Sequence, residues 1–367
     1  MNKAASFLKA LIFIGAFFSS FHLSAQGSSS GNSIYFPPND SQEWEKMSQS
    51  EAGFDQQKMG EFLSWLSETD TRGFLILKDG KIVVEEYWGG KLTGLGPMDP
   101  ESFWYWASAG KTLTAAMIGI AENEKLLKIK DKTQKYLGNG WTSMSAKEEK
   151  KIRIVHHLTM TTGIDNDVMN LDDTSPSSFK FLTKPGTRWS YHNGTYTVLE
   201  KLLEKASGET YQSYFKSRIG DKIGMKGFWQ KAGQNNVFYS SPRSMARFGI
   251  LLLSKGRWNG EQIWEGSFFD QMVKSSQNLN PSYGYLTWLN GQKSFMLPGV
   301  EKSLSGSLIQ NGPIDMYQAM GKNGQFLMVV PSENLVVVRM GGASDSTTIP
   351  FLLIRQMWDK LAPVIQP

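Results

Sequence analysis

The chain has 367 residues, of which 40% are hydrophobic and 20% are charged, so it is long enough to bury a large core. Its formal net charge of +5 comes without a basic block, which gives no reason to expect a nucleic-acid partner. The lack of cysteine excludes disulfides, thiolate metal sites and a cysteine nucleophile.

The first 25 residues predict a secretory signal peptide. Lys3 and Lys9 accompany an apolar stretch over residues 10–18, and a candidate cleavage site ends at Ala25. The apolar stretch is shorter than a bilayer span, which favours a cleaved signal over a membrane anchor. We therefore expect a periplasmic or secreted protein with no membrane span after signal removal, in which residues 26–43 form a linker rich in Ser and Gly.

The start of the following domain predicts a helix and a hairpin. Asp55 is a candidate N-cap for a helix whose apolar residues recur at helical spacing, namely Met59, Phe62, Leu63 and Leu66. Two apolar runs, 74–77 and 82–84, flank Asp79-Gly80, a strong signal for a two-residue hairpin turn.

The rest of the chain predicts a helical middle and a second strand-rich end. At that end, strands over residues 325–330 and 335–340 precede a helix over 350–364. The middle predicts helices over 108–123, 150–160, 194–206, 210–218 and 242–255. We therefore predict an α+β domain over residues 44–365. Its antiparallel sheet comes from about 44–100 and 290–365, flanked by helices, and a helical part over about 101–289 is inserted.

A serine and a lysine three residues apart stand at the start of an apolar helix. Ser108 and Lys111 would share one helix face, so the amine can approach the hydroxyl. Seven of the nine residues over 113–121 are hydrophobic, which predicts that this helix is buried. A lysine in a low dielectric shifts towards its neutral form, and unpaired N–H groups at a helix start suit an oxyanion. The pair predicts a nucleophile with an amine base.

Two other roles compete for the same residues. The Ser-x-x-Lys pattern recurs at Ser6, Ser177 and Ser213, and Ser108 could simply be a helix N-cap with Lys111 in solvent. Residues 110–112 also match the end of a phosphate-binding P-loop. However, Tyr105 stands where that motif needs its first glycine, which disfavours nucleotide binding.

A turn-rich loop over residues 184–194 supplies candidate partners for the serine. Tyr191 and Asn193 are two residues apart, so both side chains can enter one cleft. There a phenol can shuttle protons and a carboxamide can orient a carbonyl group. The alternative is that Tyr191 packs in the core and Asn193 caps the following helix. We expect His192, between them, to be exposed.

These motifs resemble those of the serine beta-lactamase-like, penicillin-recognising enzymes. They resemble in particular the branch that holds class C beta-lactamases, D-alanyl-D-alanine carboxypeptidases, esterases and 6-aminohexanoate-dimer hydrolases. In that family a Ser-x-x-Lys helix, a Tyr-x-Asn loop and a Lys-Thr-Gly or His-x-Gly strand converge on one cleft. The resemblance runs from about Trp44 to Trp358 and includes segments 154–163 and 241–249. It implies a beta-lactamase/transpeptidase-like fold with Ser108, Lys111 and Tyr191 as catalytic residues.

The third motif departs from the family pattern, and two registers compete for it. One places Lys322-Asn323-Gly324 at the Lys-x-Gly position; the other, which we prefer, places Ala319-Met320-Gly321 there. In that register, the resemblance places the backbone N–H of Lys322 where the family has its second N–H group for the oxyanion. It also places Ala319 where the family has a cation that binds the carboxylate of the substrate. The candidate substrate-binding and oxyanion residues are Asn193, Gly321, Lys322 and Asn323.

The predicted function is a secreted serine hydrolase that cleaves a small ester, amide or peptide-like substrate through an acyl-enzyme. Alternatives are a D-alanyl-D-alanine carboxypeptidase, a class C beta-lactamase, or a non-catalytic cell-wall-binding or sensor module. The histidines outside the signal, His156, His157 and His192, lack zinc-site spacing, so we expect no metal and no cofactor. The natural substrate and the oligomeric state stay open.

Overall fold

The computed structural model describes residues 34–343 and 350–365. The signal peptide expected over residues 1–25 and the first part of the expected linker lie outside the described residues. Within the described ranges, no helix has both the length and the apolar character that crossing a bilayer requires.

The described helices follow one another along the chain as α1 (Gln56–Ser67), α2 (Gly110–Asn123), α3 (Gln134–Leu137), α4 (Ala146–Glu149), α5 (Ile154–Leu158), α6 (Asn193–Ser207), α7 (Tyr211–Phe215), α8 (Asp221–Ile223), α9 (Pro242–Leu253), α10 (Gly266–Met272) and α11 (Phe351–Ile365). Shorter 3-10 turns cover Ala107–Ala109, Pro176–Ser178, Lys322–Gly324 and Pro331–Glu333, and a π-helical turn covers Lys216–Gly220.

The described strands are β1 (Thr71–Lys78), β2 (Lys81–Tyr87), β3 (Trp104–Tyr105), β4 (Gly227–Ala232), β5 (Asn235–Ser240), β6 (Arg257–Trp258), β7 (Glu261–Gln262), β8 (Trp288–Leu289), β9 (Ser294–Leu297), β10 (Val300–Ser305), β11 (Tyr317–Gly321), β12 (Gln325–Val330) and β13 (Leu335–Gly341).

A six-stranded sheet draws its strands from both ends of the domain. Its order is β2-β1-β13-β12-β11-β8, and β1 pairs antiparallel with both β2 and β13. Every residue of β12 and β13 is buried, as expected for central strands with both faces covered. The predicted α+β fold, with its antiparallel sheet built from both ends, is confirmed.

Local chemistry explains the first helix and the first hairpin. The Asp55 carboxylate caps α1 by accepting a hydrogen bond from the Lys58 backbone N–H at 3.0 Å. Asp79 and Gly80 both have positive φ, 51° and 81°, which is the backbone that a two-residue hairpin turn needs. A Cβ on Gly80 would lie 2.0 Å from the Tyr35 carbonyl oxygen, so only glycine fits there.

Helices cover the two faces of the sheet. On one face, a Cβ on Gly249 of α9 would lie 2.4 Å from a Val336 methyl group, so the helix lies directly on β13. On the other face, the Trp358 indole N–H of α11 donates to the Met328 sulfur at 3.3 Å. The sheet therefore forms the middle layer of the domain.

The part predicted to be helical also contains strands. β3, β5 and β4 form a three-stranded antiparallel sheet, in which Tyr105 pairs with Tyr239 and Trp104 with Ser240. These strands lie beside the start of α2, because the Trp106 backbone N–H donates to the Phe238 carbonyl at 2.8 Å. The small sheet therefore fixes the chain just before Ser108.

The domain also begins before the predicted boundary at residue 44. The Tyr35 N–H donates to the Asp79 carbonyl at 2.9 Å, and the buried Arg247 guanidinium donates to the carbonyls of Pro37, Pro38 and Ser41. Residues 34–43, assigned above to the linker, are therefore part of the packed domain.

Candidate active site

Ser108 lies in the 3-10 turn that leads into α2. Residues Gly110 to Ala121 of that helix are all buried, in agreement with the predicted apolar helix. Ala107, just before the serine, has a positive φ of 48°, an unfavourable backbone conformation for a residue with a Cβ. The chain thus turns sharply and presents Ser108 at the start of a buried helix.

Lys111 reaches back to the serine from inside the domain. Its Nζ lies 3.0 Å from Ser108 Oγ and 2.9 Å from Asn193 Oδ1. It also lies over the rings of Tyr191 and Tyr196, 5.0 and 4.4 Å from their centroids. The side chain is only 4% exposed, which contradicts the alternative of a solvated first-turn lysine.

Burial changes the proton affinity of this amine. Desolvation lowers the pKa of Lys111 to about 7, and the negative charge of Asp172 acts in the opposite direction. At neutral pH a large fraction of the amine is therefore uncharged. Its lone pair can then accept the proton of the Ser108 hydroxyl.

The loop before α6 brings Tyr191 and Asn193 to the same place. The Tyr191 ring is buried and stacks on Trp288, with centroids 6.0 Å apart. Burial raises the pKa of Tyr191, and Ser108 opposes that shift, although no hydrogen bond of standard geometry joins the two hydroxyls. The phenol therefore stays protonated at neutral pH.

Asn193 is the first residue of α6, and its side chain does not cap that helix. Its Oδ1 accepts from Lys111, and its Nδ2 donates to Asp172 Oδ1 at 2.7 Å. Sequence reasoning missed Asp172, which lies 21 positions earlier and belongs to no local motif.

His192 was predicted to be exposed, and that prediction is wrong. Its side chain is 1% exposed and packs beside Phe179, with ring centroids 6.1 Å apart. The residue precedes α6 in an extended conformation, which directs alternate side chains of the loop in opposite directions. Burial lowers the pKa of His192 to about 4, so its ring is neutral at pH 7.

Strand β11 ends against the turn that carries the serine. A Cβ on Gly321 would lie 2.3 Å from the Trp106 carbonyl oxygen and 3.1 Å from the Ser108 nitrogen. Only glycine permits this approach, which supports the register that places Ala319-Met320-Gly321 at the third motif. Ala319 is buried, whereas the Lys322 side chain is exposed.

The turn after β11 is held by two side chains. Asn323 has a left-handed backbone, φ 63°, and its Nδ2 donates to the Tyr105 hydroxyl at 2.6 Å. Arg339 is fully buried and donates to the carbonyls of Asn323 and Gly324 at 3.1 and 2.8 Å. Sequence reasoning did not identify Arg339, although a single charged residue within an apolar strand can be recognised in the sequence.

The described part of the chain contains no group of three His, Cys, Asp or Glu side chains placed to hold a metal ion. Of the predicted residues, Ser108, Lys111 and Asn193 are joined by direct contacts, and Tyr191 lies over the amine. Gly321 lies against the Ser108 backbone, and the Asn323 side chain is bound to Tyr105.

The sequence model of the family described as Beta-lactamase matches residues 68–347, more than half of the chain. The chain therefore belongs to the beta-lactamase family, and the resemblance inferred from its motifs is confirmed. Membership of this family makes the chain a serine hydrolase in general class.

Individual relatives are distant. An uncharacterized protein of Alkalihalophilus pseudofirmus is 26% identical over 298 residues, which are 72% of this chain and 81% of the relative. A solved structure assigned as a 6-aminohexanoate-dimer hydrolase from Bacillus anthracis has a TM-score of 0.67 at 18% identity and covers 90% of both chains. A family VIII carboxylesterase has a TM-score of 0.64 at 13% identity, over 83% of this chain and 95% of its own. The two structures bear on the fold alone.

Proposed function

We propose that this protein is an esterase or amide hydrolase in which Ser108 is the nucleophile and Lys111 its base. The observation that carries the proposal is the Lys111 amine, buried, with a pKa lowered to about 7, and 3.0 Å from Ser108 Oγ. A lysine that only stabilised the fold would keep its charge and contact water or a carboxylate. This one contacts a hydroxyl and an amide oxygen.

The reaction proceeds in two steps. Neutral Lys111 takes the Ser108 proton while Oγ attacks the carbonyl carbon of the substrate, and the N–H groups of Ser108 and Lys322 bind the resulting oxyanion. Tyr191 gives its proton to the leaving alcohol or amine and recovers one from Lys111, which leaves an acyl-enzyme. Water then attacks that ester, the same groups return the protons, and Ser108 is restored.

The third motif supports an ester or a simple amide over a substrate with a terminal carboxylate. Ala319 stands at the position where the resemblance places a cation, and it is 1% exposed. The nearby Lys322 has an exposed side chain. The position that would carry the carboxylate-binding charge is thus apolar, which disfavours a D-alanyl-D-alanine carboxypeptidase and a class C beta-lactamase.

A panel of substrates with detection of the covalent intermediate tests the proposal. The purified protein is incubated with a chromogenic short-chain ester, a chromogenic cephalosporin and a D-alanyl-D-alanine peptide. Turnover is measured, and the intact mass reports any acyl adduct. We expect turnover of the ester and an adduct that Ser108→Ala abolishes. Absence of both adduct and turnover with every substrate would favour the non-catalytic binding module.

We also propose that residues 1–25 direct the protein out of the cytoplasm and are then removed. The support is the arrangement of Lys3, Lys9 and the apolar stretch over residues 10–18. Fractionation of the producing cells, with N-terminal sequencing of the mature chain, tests this. A chain retained in the cytoplasm with residue 1 intact would contradict it.

A further inference from the structure

The side-chain amide of Asn193 lies between an amine and a carboxylate. Its oxygen accepts from Lys111 Nζ at 2.9 Å, and its nitrogen donates to Asp172 Oδ1 at 2.7 Å. An ionised carboxylate only accepts hydrogen bonds, so the nitrogen of the amide must face Asp172. The oxygen must then face Lys111. Reversal of the amide would bring two acceptors together and point an N–H group at the amine.

Asp172 is itself held against the start of α6. The Gly194 N–H donates to the Leu171 carbonyl at 2.7 Å, and a Cβ on Gly194 would lie 2.4 Å from the Asp173 carbonyl oxygen. The segment on both sides of Asp172 is thus in backbone contact with the helix that begins at Asn193. The carboxylate is half-buried, which limits the screening of its charge by water.

Among the described groups around Lys111, Asp172 carries the charge that acts on the amine. The amine faces the rings of Tyr191 and Tyr196, the Ser108 hydroxyl and the Asn193 amide, all uncharged at neutral pH. His192, beside them in sequence, is also neutral at pH 7 because burial lowers its pKa to about 4. Among the described groups, the Asp172 charge raises the pKa of Lys111 against the effect of burial.

We propose that Asp172 is a positioning residue that fixes the amide of Asn193 with its oxygen towards Lys111 and supplies the negative charge behind it. The inference rests on the proposed function, because it assigns Asp172 a role through the base of that reaction. It adds a fourth member to the chain of contacts, in the order Ser108, Lys111, Asn193 and Asp172. Asp172 does not contact the hydroxyl of the nucleophile and is not a catalytic residue.

Two variants separate the charge of Asp172 from its hydrogen bond. Asp172→Asn removes the charge but keeps an oxygen that can accept from Asn193, whereas Asp172→Ala removes both. The matched control is Asp167→Asn, which makes the same charge change at an exposed position on the same segment. All three proteins and the wild type are compared by circular dichroism to confirm that they are folded.

The first readout is the rate of covalent labelling by a fluorophosphonate probe as a function of pH. In Asp172→Asn we expect the midpoint of the rise in rate to move to lower pH, because the charge that favours protonated Lys111 is gone. In Asp172→Ala we expect the same movement and a fall of about 10²-fold in the plateau rate, because the amide is free to reverse. Asp167→Asn should match the wild type.

The second readout does not need activity. The protein is labelled with ¹³C-lysine, the Lys111 resonance is assigned by its loss in Lys111→Ala, and its titration is followed by NMR in each variant. A lower titration midpoint in both Asp172 variants supports the inference even where no probe reacts. Failure of the wild type to label would contradict the proposed function alone. Unchanged Lys111 titration in both Asp172 variants would overturn the inference alone.

Discussion

Two segments of this chain carry the same pattern, a serine followed three residues later by a lysine, and their environments are opposite. At the start of α2, Lys111 is 4% exposed and contacts Ser108 at 3.0 Å. In α7 and the turn after it, Ser213 is exposed and Lys216 points away into an ion pair with Asp221 at 2.6 Å. The side chain of Lys216 is 64% exposed.

The difference shows that spacing alone does not produce an amine base. Water and a carboxylate both favour the charged form of an ammonium group, and Lys216 has both. Lys111 has aromatic rings and an amide oxygen instead. Burial at the start of the helix, and not the motif, is therefore the property that distinguishes the candidate nucleophile from its copies.

The largest expected effect is at the serines. Ser108→Ala should abolish labelling by a fluorophosphonate probe, whereas Ser213→Ala should label at the wild-type rate, because only the first hydroxyl has a basic partner. Intact-mass measurement after incubation with the probe checks both variants. Labelling that persists in Ser108→Ala would mean that another residue is the nucleophile.

The next effect is at the two lysines. Lys111→Ala should lower turnover of the best ester by about 10²-fold or more, which is the usual contribution of a general base. Lys216→Ala should leave turnover unchanged. Steady-state kinetics of both variants measures the two effects. Cooperative unfolding in urea confirms that each variant is folded. Equal turnover in the Lys111 variant and the wild type would exclude the amine as base.

The next effect, smaller than those of the substitutions above, is the pH dependence of kcat/KM. This ratio should rise with pH, because the amine acts in its neutral form. Because burial lowers the pKa of Lys111 to about 7, the active neutral amine disappears as the pH falls below that value. The ratio kcat/KM should then fall about tenfold per pH unit below the midpoint and level off above it. A rate that rises as the pH falls through 7 would contradict the assignment of the base.

The smallest effect is on stability. Between the lowered pKa of Lys111, about 7, and its ordinary value of 10.5, the unfolded chain binds a proton that the folded chain does not. The free energy of unfolding contributed by this group therefore rises with pH across that window, and the buried charge destabilises the fold below it. Relative to the wild type, the free energy of unfolding of Lys111→Met should therefore be higher at pH 6 than at pH 9, by about 3 kcal/mol.

Urea unfolding at the two pH values measures that difference. The control is Lys216→Met, in which the lost amine is exposed and the comparison with wild type should be the same at both pH values. If Lys111→Met also shows no dependence on pH, the amine is not desolvated in the native protein, and the contrast between the two segments disappears.

The sequence predicted those parts of the fold whose cause is local. Asp55 caps α1, and Asp79-Gly80 forms the hairpin turn, because each depends on the chemistry of a few adjacent residues. Strands β4 and β5 were not predicted. Their burial is uneven, and most residues of β4 are exposed, so the apolar alternation that marks a strand is weak.

The same distinction holds for the candidate site. Ser108 with Lys111 and Tyr191 with Asn193 are close in sequence, and spacing predicted that the members of each pair lie together. That the two pairs share one cleft was implied by the family resemblance. The position of Asp172 depends on how the loop after α5 packs on the start of α6, which no periodicity records. His192 is buried because Phe179, 13 positions earlier, packs beside it. Contacts of this kind exist only in the folded chain.

Arg339 makes the turn after β11 depend on residues from both ends of the described domain. Its guanidinium joins the turn after β11 to the Thr69 carbonyl before β1 and to the Gly342 carbonyl after β13, at 2.8 and 2.6 Å. Thr69 and Arg339 are 270 positions apart, and closing so long a loop is a slow event in folding. The turn after β11, which follows the strand end that lies against Ser108, therefore gains this support only after β13 has been made, and a fragment of the chain that ends before β13 lacks it.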